Sequence, residues 1–429
     1  MTTADETTDP NAVPARPAMR RPLPPELIER GECPFDPPAE LGRLRGEGPV
    51  APITLLNGAR AWMVTGYREA REAFGDPRFS SDKFRHRDAL QLTPEEVAAG
   101  TCPHAPESAT PSGHGLFIFM DPPEHTRLRR LLIGEFTVRR MRALESRVTE
   151  LAVELIEDMR AAGNRADLVA DFALPLPSLV ICELLGVDYA DRARFQRSAA
   201  VSLNFRLPEQ ERLRAGAELR EFMRELVASK RAAPGDDLLS GLVHGDADPA
   251  LTDLELVDIA TTLLTAGHET TANMLALGTF ALLEHPEQLA ALRADPALVD
   301  GAVEELLRYL SVLHLGTTRV ATEDLTLGGV DIAAGDTVLL SIPEADRDPE
   351  HWPEPDRLDV ARPRSPHLAF GHGVHQCLGQ QLARVEMRIG YAELLDRLPG
   401  LSLDVPAGDV PLRTDMIVYG VHELPVTWR

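Results

Sequence analysis

Apolar residues along this chain recur mostly at helical spacing, and the stretches that break the rhythm are short. Helix is predicted from about Pro123 to Gly163 and again from about Leu174 to Leu185. Phe195 to Leu226 reads as two helices interrupted near Leu207-Pro208, and Pro234-Gly235-Asp236-Asp237 is a break. A long helix follows from about Asp253 to Glu284. Thr252-Asp253-Leu254-Glu255 has the form of a capping box at its start, and Pro286 closes its end. Shorter helices are predicted near 286–293 and from Leu298 to Leu310. Another follows residue 377, where Leu378, Leu382, Val385 and Ile389 fall at helical spacing. Strand signals are few. Pro52-Ile53-Thr54-Leu55 and Ala61-Trp62-Met63-Val64 flank Asn57-Gly58, a hairpin turn signal. Tyr67 to Phe74 reads as a short helix ended by Gly75 and Pro77. Residues 324–342 alternate as short strands, and Asp415 to Gly420 reads as a last hairpin.

Two stretches carry no sustained periodicity. Residues 1–25, rich in Pro, Thr and Ala, read as a mobile N-terminal tail, leaving 26–429 as a single domain. Residues 82–118 hold several prolines and glycines, and a loop of that length in a compact protein is functional or disordered. Cys102-Pro103-His104 within it has a metal-site flavour but no partners in sequence. The fold class is mainly α, a helical domain with a small β-sheet region.

Composition narrows the function classes. Of 429 residues, 44% are hydrophobic, enough for a large core. The formal net charge of −23 argues against nucleic acid as the main partner. Cys33, Cys102, Cys182 and Cys377 are too few and scattered for a disulfide framework, which fits a cytoplasmic setting. No run of about 18 uncharged apolar residues is present, and the acidic start, Met1-Thr2-Thr3-Ala4-Asp5-Glu6, has no signal-peptide core.

The densest chemistry lies in Ala369-Phe370-Gly371-His372-Gly373-Val374-His375-Gln376-Cys377-Leu378-Gly379. Gly371 and Gly373 bracket a tight turn. Cys377 falls at or just before a helix N-terminus, where backbone N–H groups and the helix dipole favour thiolate over thiol. No second cysteine stands at zinc spacing. A buried structural cysteine and a thiolate ligand of haem iron both fit this stretch taken alone.

A second polar island interrupts the apolar middle of the long helix, at Ala266-Gly267-His268-Glu269-Thr270-Thr271. Glycine inside a helix costs about 1 kcal/mol, and a buried carboxylate needs a partner. Either Glu269 faces solvent and Thr270 bonds the preceding turn, or the helix is opened here for a reaction.

Together the two stretches resemble the cytochrome P450 family. Phe-Gly-x-Gly-x-His-x-Cys-x-Gly matches its haem-binding signature and Ala-Gly-x-Glu-Thr-Thr its oxygen-activation motif. The likeness runs from about residue 25 to the end. It implies the mainly helical cytochrome P450 fold, haem (heme b, iron protoporphyrin IX) and monooxygenation of a lipophilic substrate with dioxygen (O2). Cys377 would be the iron ligand, with Phe370, Gly371 and Gly379 shaping its loop. Ala266 and Gly267 would lie at the haem face, with Gly267 making room for dioxygen. Glu269 and Thr270 would manage protons. His125, Arg129, Arg319 and His375 fall at propionate-binding positions, and Glu305 and Arg308 at a structural pair that meets the loop around 353–362. Where the family usually has Ala-Asn-Arg-Asp-Pro, this chain has Ala345-Asp346-Arg347-Asp348-Pro349, so that an Asp pairs with Arg347 or caps a turn.

The resemblance also implies electrons from NAD(P)H through a reductase and ferredoxin, no membrane anchor and a monomer. Arg127, Arg129, Arg130, Arg139 and Arg140, with Arg384 and Arg388, form a basic patch suited to an acidic donor. The segments 82–118, 201–205, 313–316 and 416–418 are pocket candidates and, 82–118 apart, mostly apolar. They point to a large neutral substrate such as a polyketide or macrolide. A xenobiotic or sterol, a ring-closing or coupling oxidation, and a non-catalytic haem sensor are the alternatives.

Overall fold

The computed structural model describes residues 23–83, 85–99, 115–245, 247, 249–314 and 317–429. Most of the tail and the Cys102-Pro103-His104 motif therefore lie outside the described residues, as do Leu315 and Gly316.

The helices are, in chain order, α1 (Ala39–Glu47), α2 (Tyr67–Gly75), α3 (Pro94–Ala98), α4 (Glu124–Ile133), α5 (Val138–Ala143), α6 (Glu145–Ala162), α7 (Pro175–Leu185) and α8 (Arg192–Leu203). They continue as α9 (Glu209–Ala232), α10 (Leu238–His244), α11 (Asp253–Glu284), α12 (Pro286–Ala294), α13 (Val299–Leu310), α14 (Ile342–Ala345) and α15 (Gln380–Arg397). The helical run expected over 123–163 is three helices, because Gly134 ends α4 and Thr137 caps α5 through the Arg140 N–H. Inside 82–118, α3 forms behind a capping box of Thr93 and Glu96.

The central helix is α11. Thr252 accepts from the Glu255 N–H at 3.2 Å, and the Glu255 carboxylate accepts from the Thr252 N–H at 2.8 Å. Apolar on all sides for most of its length, α11 is buried on all sides, packing against α7, α9, α13 and α15. Each of its fully buried leucines contributes about 1.5–3 kcal/mol.

Strands β1 (Val50–Thr54) and β2 (Arg60–Val64) form the expected antiparallel hairpin. The others are β3 (Phe79–Ser80), β4 (Arg165–Asp167), β5 (Thr318–Ala321), β6 (Leu325–Leu327), β7 (Val330–Ile332), β8 (Thr337–Leu340), β9 (Ser402–Leu403) and β10 (Pro425–Thr427). One sheet runs β1-β2-β8-β5-β3, with β2 and β8 parallel and Trp62 opposite Val338. The strands expected over 324–342 thus divide: β6 and β7 pair with each other, while β8 enters the larger sheet. The hairpin expected at 415–420 is not a strand pair. It is tied by single bridges, Leu412 to Val421, Leu313 to Val418 and Asn204 to Met416.

Candidate functional site

The cysteine loop is built from its glycines outward. Gly371 and Gly373 both have positive φ, 65° and 73°. At Gly373 a Cβ would also lie 2.4 Å from the Phe74 carbonyl oxygen, so the loop lies directly on the end of α2. The Cys377 N–H donates to the Phe370 carbonyl at 2.8 Å, and α15 begins at Gln380 with Gly379 as its N-cap residue. Cys377 therefore stands just before the helix, as expected. Its ionisation is drawn both ways. Burial pushes the thiol up, and the N–H groups of Gly379 and Gln380, with Arg129 and Arg384, only pull it part of the way back. The residue is surrounded by protein yet keeps accessible surface.

The loop is held from behind. Asp346, fully buried, accepts from the Leu368 N–H at 2.7 Å and meets the Ser311 hydroxyl at 3.3 Å. It does not pair with Arg347, which binds Asp356 and the Tyr309 and Phe35 carbonyls instead. Arg308 and Glu305 form a buried bidentate pair at 2.8 and 2.9 Å. Arg308 also donates to the carbonyls of Asp346 and Pro355, and Glu305 accepts from Arg362 and the Asp359 N–H.

Four cationic or ionisable side chains from distant parts of the chain come together near Cys377. His125 and His375 have ring centres 4.2 Å apart. Arg129 donates to the Gln376 carbonyl, and Arg319 to the Thr318 carbonyl at 2.8 Å. Among the described residues no carboxylate forms an ion pair with either arginine. Burial, reinforced by neighbouring positive charge, pushes His125 down to about 4 and His375 to about 3. Burial likewise lowers Arg319 to about 10. Both ring nitrogens of His125 are buried without a partner. Such a cluster is destabilised by its own charge and desolvation unless an anion joins it.

The long helix α11 changes character at its polar island. Ala266 is exposed and Gly267 and Thr270 half-exposed, within a helix otherwise buried over its middle turns. The Thr270 hydroxyl donates to the Ala266 carbonyl at 2.9 Å. Gly267 meets α7: a Cβ there would lie 3.0 Å from Ile181 Cδ1. Glu269 is 3% exposed and pairs with Arg413 at 2.9 Å, so its carboxylate does not face solvent. Arg413 escaped the sequence reading, since it lies 144 residues further along the chain, just ahead of the segment read as a hairpin.

These features fit haem. A lone thiol with accessible surface suits one axial ligand, and two arginines that no carboxylate pairs among the described residues suit two propionates. A Cβ at Gly379 would meet no protein atom within 4 Å, leaving room for a flat cofactor face. No group of three or more His, Cys, Asp or Glu among the described residues could hold another metal ion.

Comparison with known proteins decides the family. The cytochrome P450 family model matches residues 86–418. The chain belongs to the cytochrome P450 family. This cytochrome P450 is 47% identical to cytochrome P450-SU2 of Streptomyces griseolus over 428 residues, all of both chains. Its fold is similar to that of CYP105P1 in complex with filipin I, with TM-score 0.87 and 44% identity over 95% of this chain and 99% of that one. It is also similar to the LnmA hydroxylase from the leinamycin biosynthetic pathway of Streptomyces atroolivaceus, with TM-score 0.82 and 42% identity over 93% and 99% of the two chains. Proteins of this family bind heme b, and the chain is a cytochrome P450 monooxygenase. No helix among the described residues is long and apolar enough to cross a membrane.

Proposed function

We propose that this cytochrome P450 hydroxylates or epoxidises a large lipophilic secondary metabolite of polyketide or macrolide type. Its electrons come from NAD(P)H through a reductase and a ferredoxin, in the cytoplasm, and residues 26–429 act as one catalytic unit. The observation that carries the substrate reading is a three-way junction. The Ile417 N–H donates to the Leu203 carbonyl, the Phe205 N–H to Asp415 and the Tyr419 N–H to Val312. Three pocket candidates far apart in sequence are thereby fastened together beside Glu269, whose partner Arg413 belongs to the same C-terminal segment. Their mostly apolar side chains suit a large neutral molecule. LnmA, from a biosynthetic pathway, and CYP105P1, seen with filipin I, support that choice.

In this reading Cys377 ligates the iron, and His125, Arg129, Arg319 and His375 hold the propionates. Phe370, Gly371 and Gly379 shape the sulfur side, while Ala266 and Gly267 carry α11 past the other face. The haem, once bound, would activate dioxygen, one atom of which enters the substrate while the other leaves as water with two protons and the two electrons from NAD(P)H. Thr270 keeps its hydroxyl hydrogen on Ala266, leaving its lone pairs free to accept a hydrogen bond. Glu269, held by Arg413 one residue from Thr270, passes protons toward the Thr270 turn.

The test is the visible spectrum of the dithionite-reduced protein with carbon monoxide, followed by turnover under ¹⁸O₂. A strongly red-shifted Soret band, lost in Cys377→His, and one labelled oxygen in the product are expected. A histidine-type Soret band in the unsubstituted protein would remove Cys377 from the iron. Spectral shifts with sterols and none with macrolides would overturn the substrate class.

A further inference from the structure

The acid of the polar island has a second neighbour besides Arg413. His268 is fully buried, and its Nδ1 lies 2.6 Å from the Leu264 carbonyl oxygen. A carbonyl oxygen only accepts, so the hydrogen sits on Nδ1 and, in the neutral ring, Nε2 is bare. That nitrogen is buried without a hydrogen-bond partner and lies 3.8 Å from Glu269 Oε1. The other carboxylate oxygen, Oε2, is the one that Arg413 holds.

We propose that His268 is a positioning residue for the proton carried by Glu269: its bare Nε2, 3.8 Å from Oε1 and outside hydrogen-bond reach in the state seen here, closes on the carboxyl O–H when Glu269 is protonated, while Arg413 holds the ionised form. The proposal rests on the reading of Glu269 as the proton-handling acid. Two lone pairs facing each other attract only when a proton lies between them, and Glu269 is the group that can bring one. Burial keeps the imidazole neutral, lowering His268 against the opposing pull of Glu269 and the Leu264 carbonyl, with Arg413 adding to the lowering. Those two side chains are the charged groups facing it, and Phe195 from α8 presents a ring at 5.6 Å and a steep angle. Without His268 the protonated carboxyl would have a buried O–H with no acceptor, a state the interior disfavours. Only an O–H bond is made and broken: Glu269 gives its proton toward Thr270 and takes the next from water.

The experiment uses the holoenzyme with His268→Phe, which keeps a ring against Phe195, and His268→Gln, which restores an acceptor. The infrared band of the protonated Glu269 carboxyl is assigned by its loss in Glu269→Gln. Glu386→Gln separates it from Glu386, a buried carboxyl that burial raises to about 8 and that bonds Thr271. In His268→Phe the pH midpoint of the Glu269 band should fall by about one unit, a tenfold loss of the protonated form at fixed pH. His268→Gln should stay near the unsubstituted protein. ¹⁵N spectra should show hydrogen on Nδ1 and none on Nε2. An unmoved midpoint in His268→Phe, or a proton on Nε2, overturns the proposal; if that variant does not fold, the nitrogen spectra and His268→Gln decide. Product formed per NAD(P)H in Glu269→Gln tests the underlying reading separately: unchanged coupling there refutes the acid role itself.

Discussion

Asp346 shows how one side chain serves the site without touching its chemistry. Its carboxylate braces the start of the cysteine loop through Leu368 and Ser311, but burial raises it from the usual 3.8 to about 6. A carboxyl raised in the folded state binds its proton more tightly there than in the unfolded chain. Stability is therefore lost as pH climbs from about 4 to about 6 and stays lost above. Asp346→Asn keeps an oxygen for the Leu368 N–H and gives Ser311 a donor. It should stabilise the protein at neutral pH by about 1–3 kcal/mol and make no difference below pH ~4. Thermal unfolding across that range checks it, and a variant less stable at pH 7 would show that the charge is needed.

At the scale of elements, the site depends on how α11, α13 and α15 are set against one another. A Cβ at Gly278 on α11 would lie 2.1 Å from the hydroxyl of Tyr391 on α15, which donates to the Met274 carbonyl. Gly278→Ala should cost about 1–3 kcal/mol, and adding Tyr391→Phe should recover part of it in denaturant titrations. Arg308 is wholly buried and serves both Glu305 and two loop carbonyls. Arg308→Ala should cost about 3–5 kcal/mol and yield protein that loses haem on gel filtration; full haem retention would deny the pair its role in shaping the loop. These elements differ in how far the sequence announced them. The capping box of α11, the Asn57-Gly58 hairpin and the glycine turn before Cys377 are local chemistry, readable within a few residues. The parallel pairing of β2 with β8 and the approach of Arg413 to Glu269 are decided by packing between segments more than a hundred residues apart, and leave no local trace. The same holds for the cysteine's ionisation. The helix start favours thiolate, but the depth of burial that opposes it exists only in the folded molecule.

At the scale of the whole molecule, the basic patch is smaller than its sequence. Arg127 pairs with Glu255, Arg140 with Glu135, Arg384 with Glu304 and Arg388 with Glu145, while Arg129 turns inward to Gln376. Arg130 and Arg139 remain exposed with no ion pair among the described residues, beside the exposed apolar residues Ile133 and Val138. On a chain of net charge −23 such a patch supports the proposal of an acidic donor. Arg130→Glu with Arg139→Glu should slow ferredoxin-driven turnover tenfold or more at low salt, less at high salt, and leave peroxide-driven turnover intact. Arg127→Glu, which mainly breaks an internal pair, should act through stability instead. Equal losses with both oxidant systems would move the docking face elsewhere.

The cations that gather beside Cys377 come from α4 and β5, and the sulfur itself arrives only as the chain nears its end. A nascent chain leaving the ribosome thus presents its anion-seeking groups long before the thiol. Under the proposed ligation, capture of the cofactor waits on Cys377, whatever has folded before it. A chain cut before Cys377 would keep Arg129 and Arg319 but lack the thiol beside them.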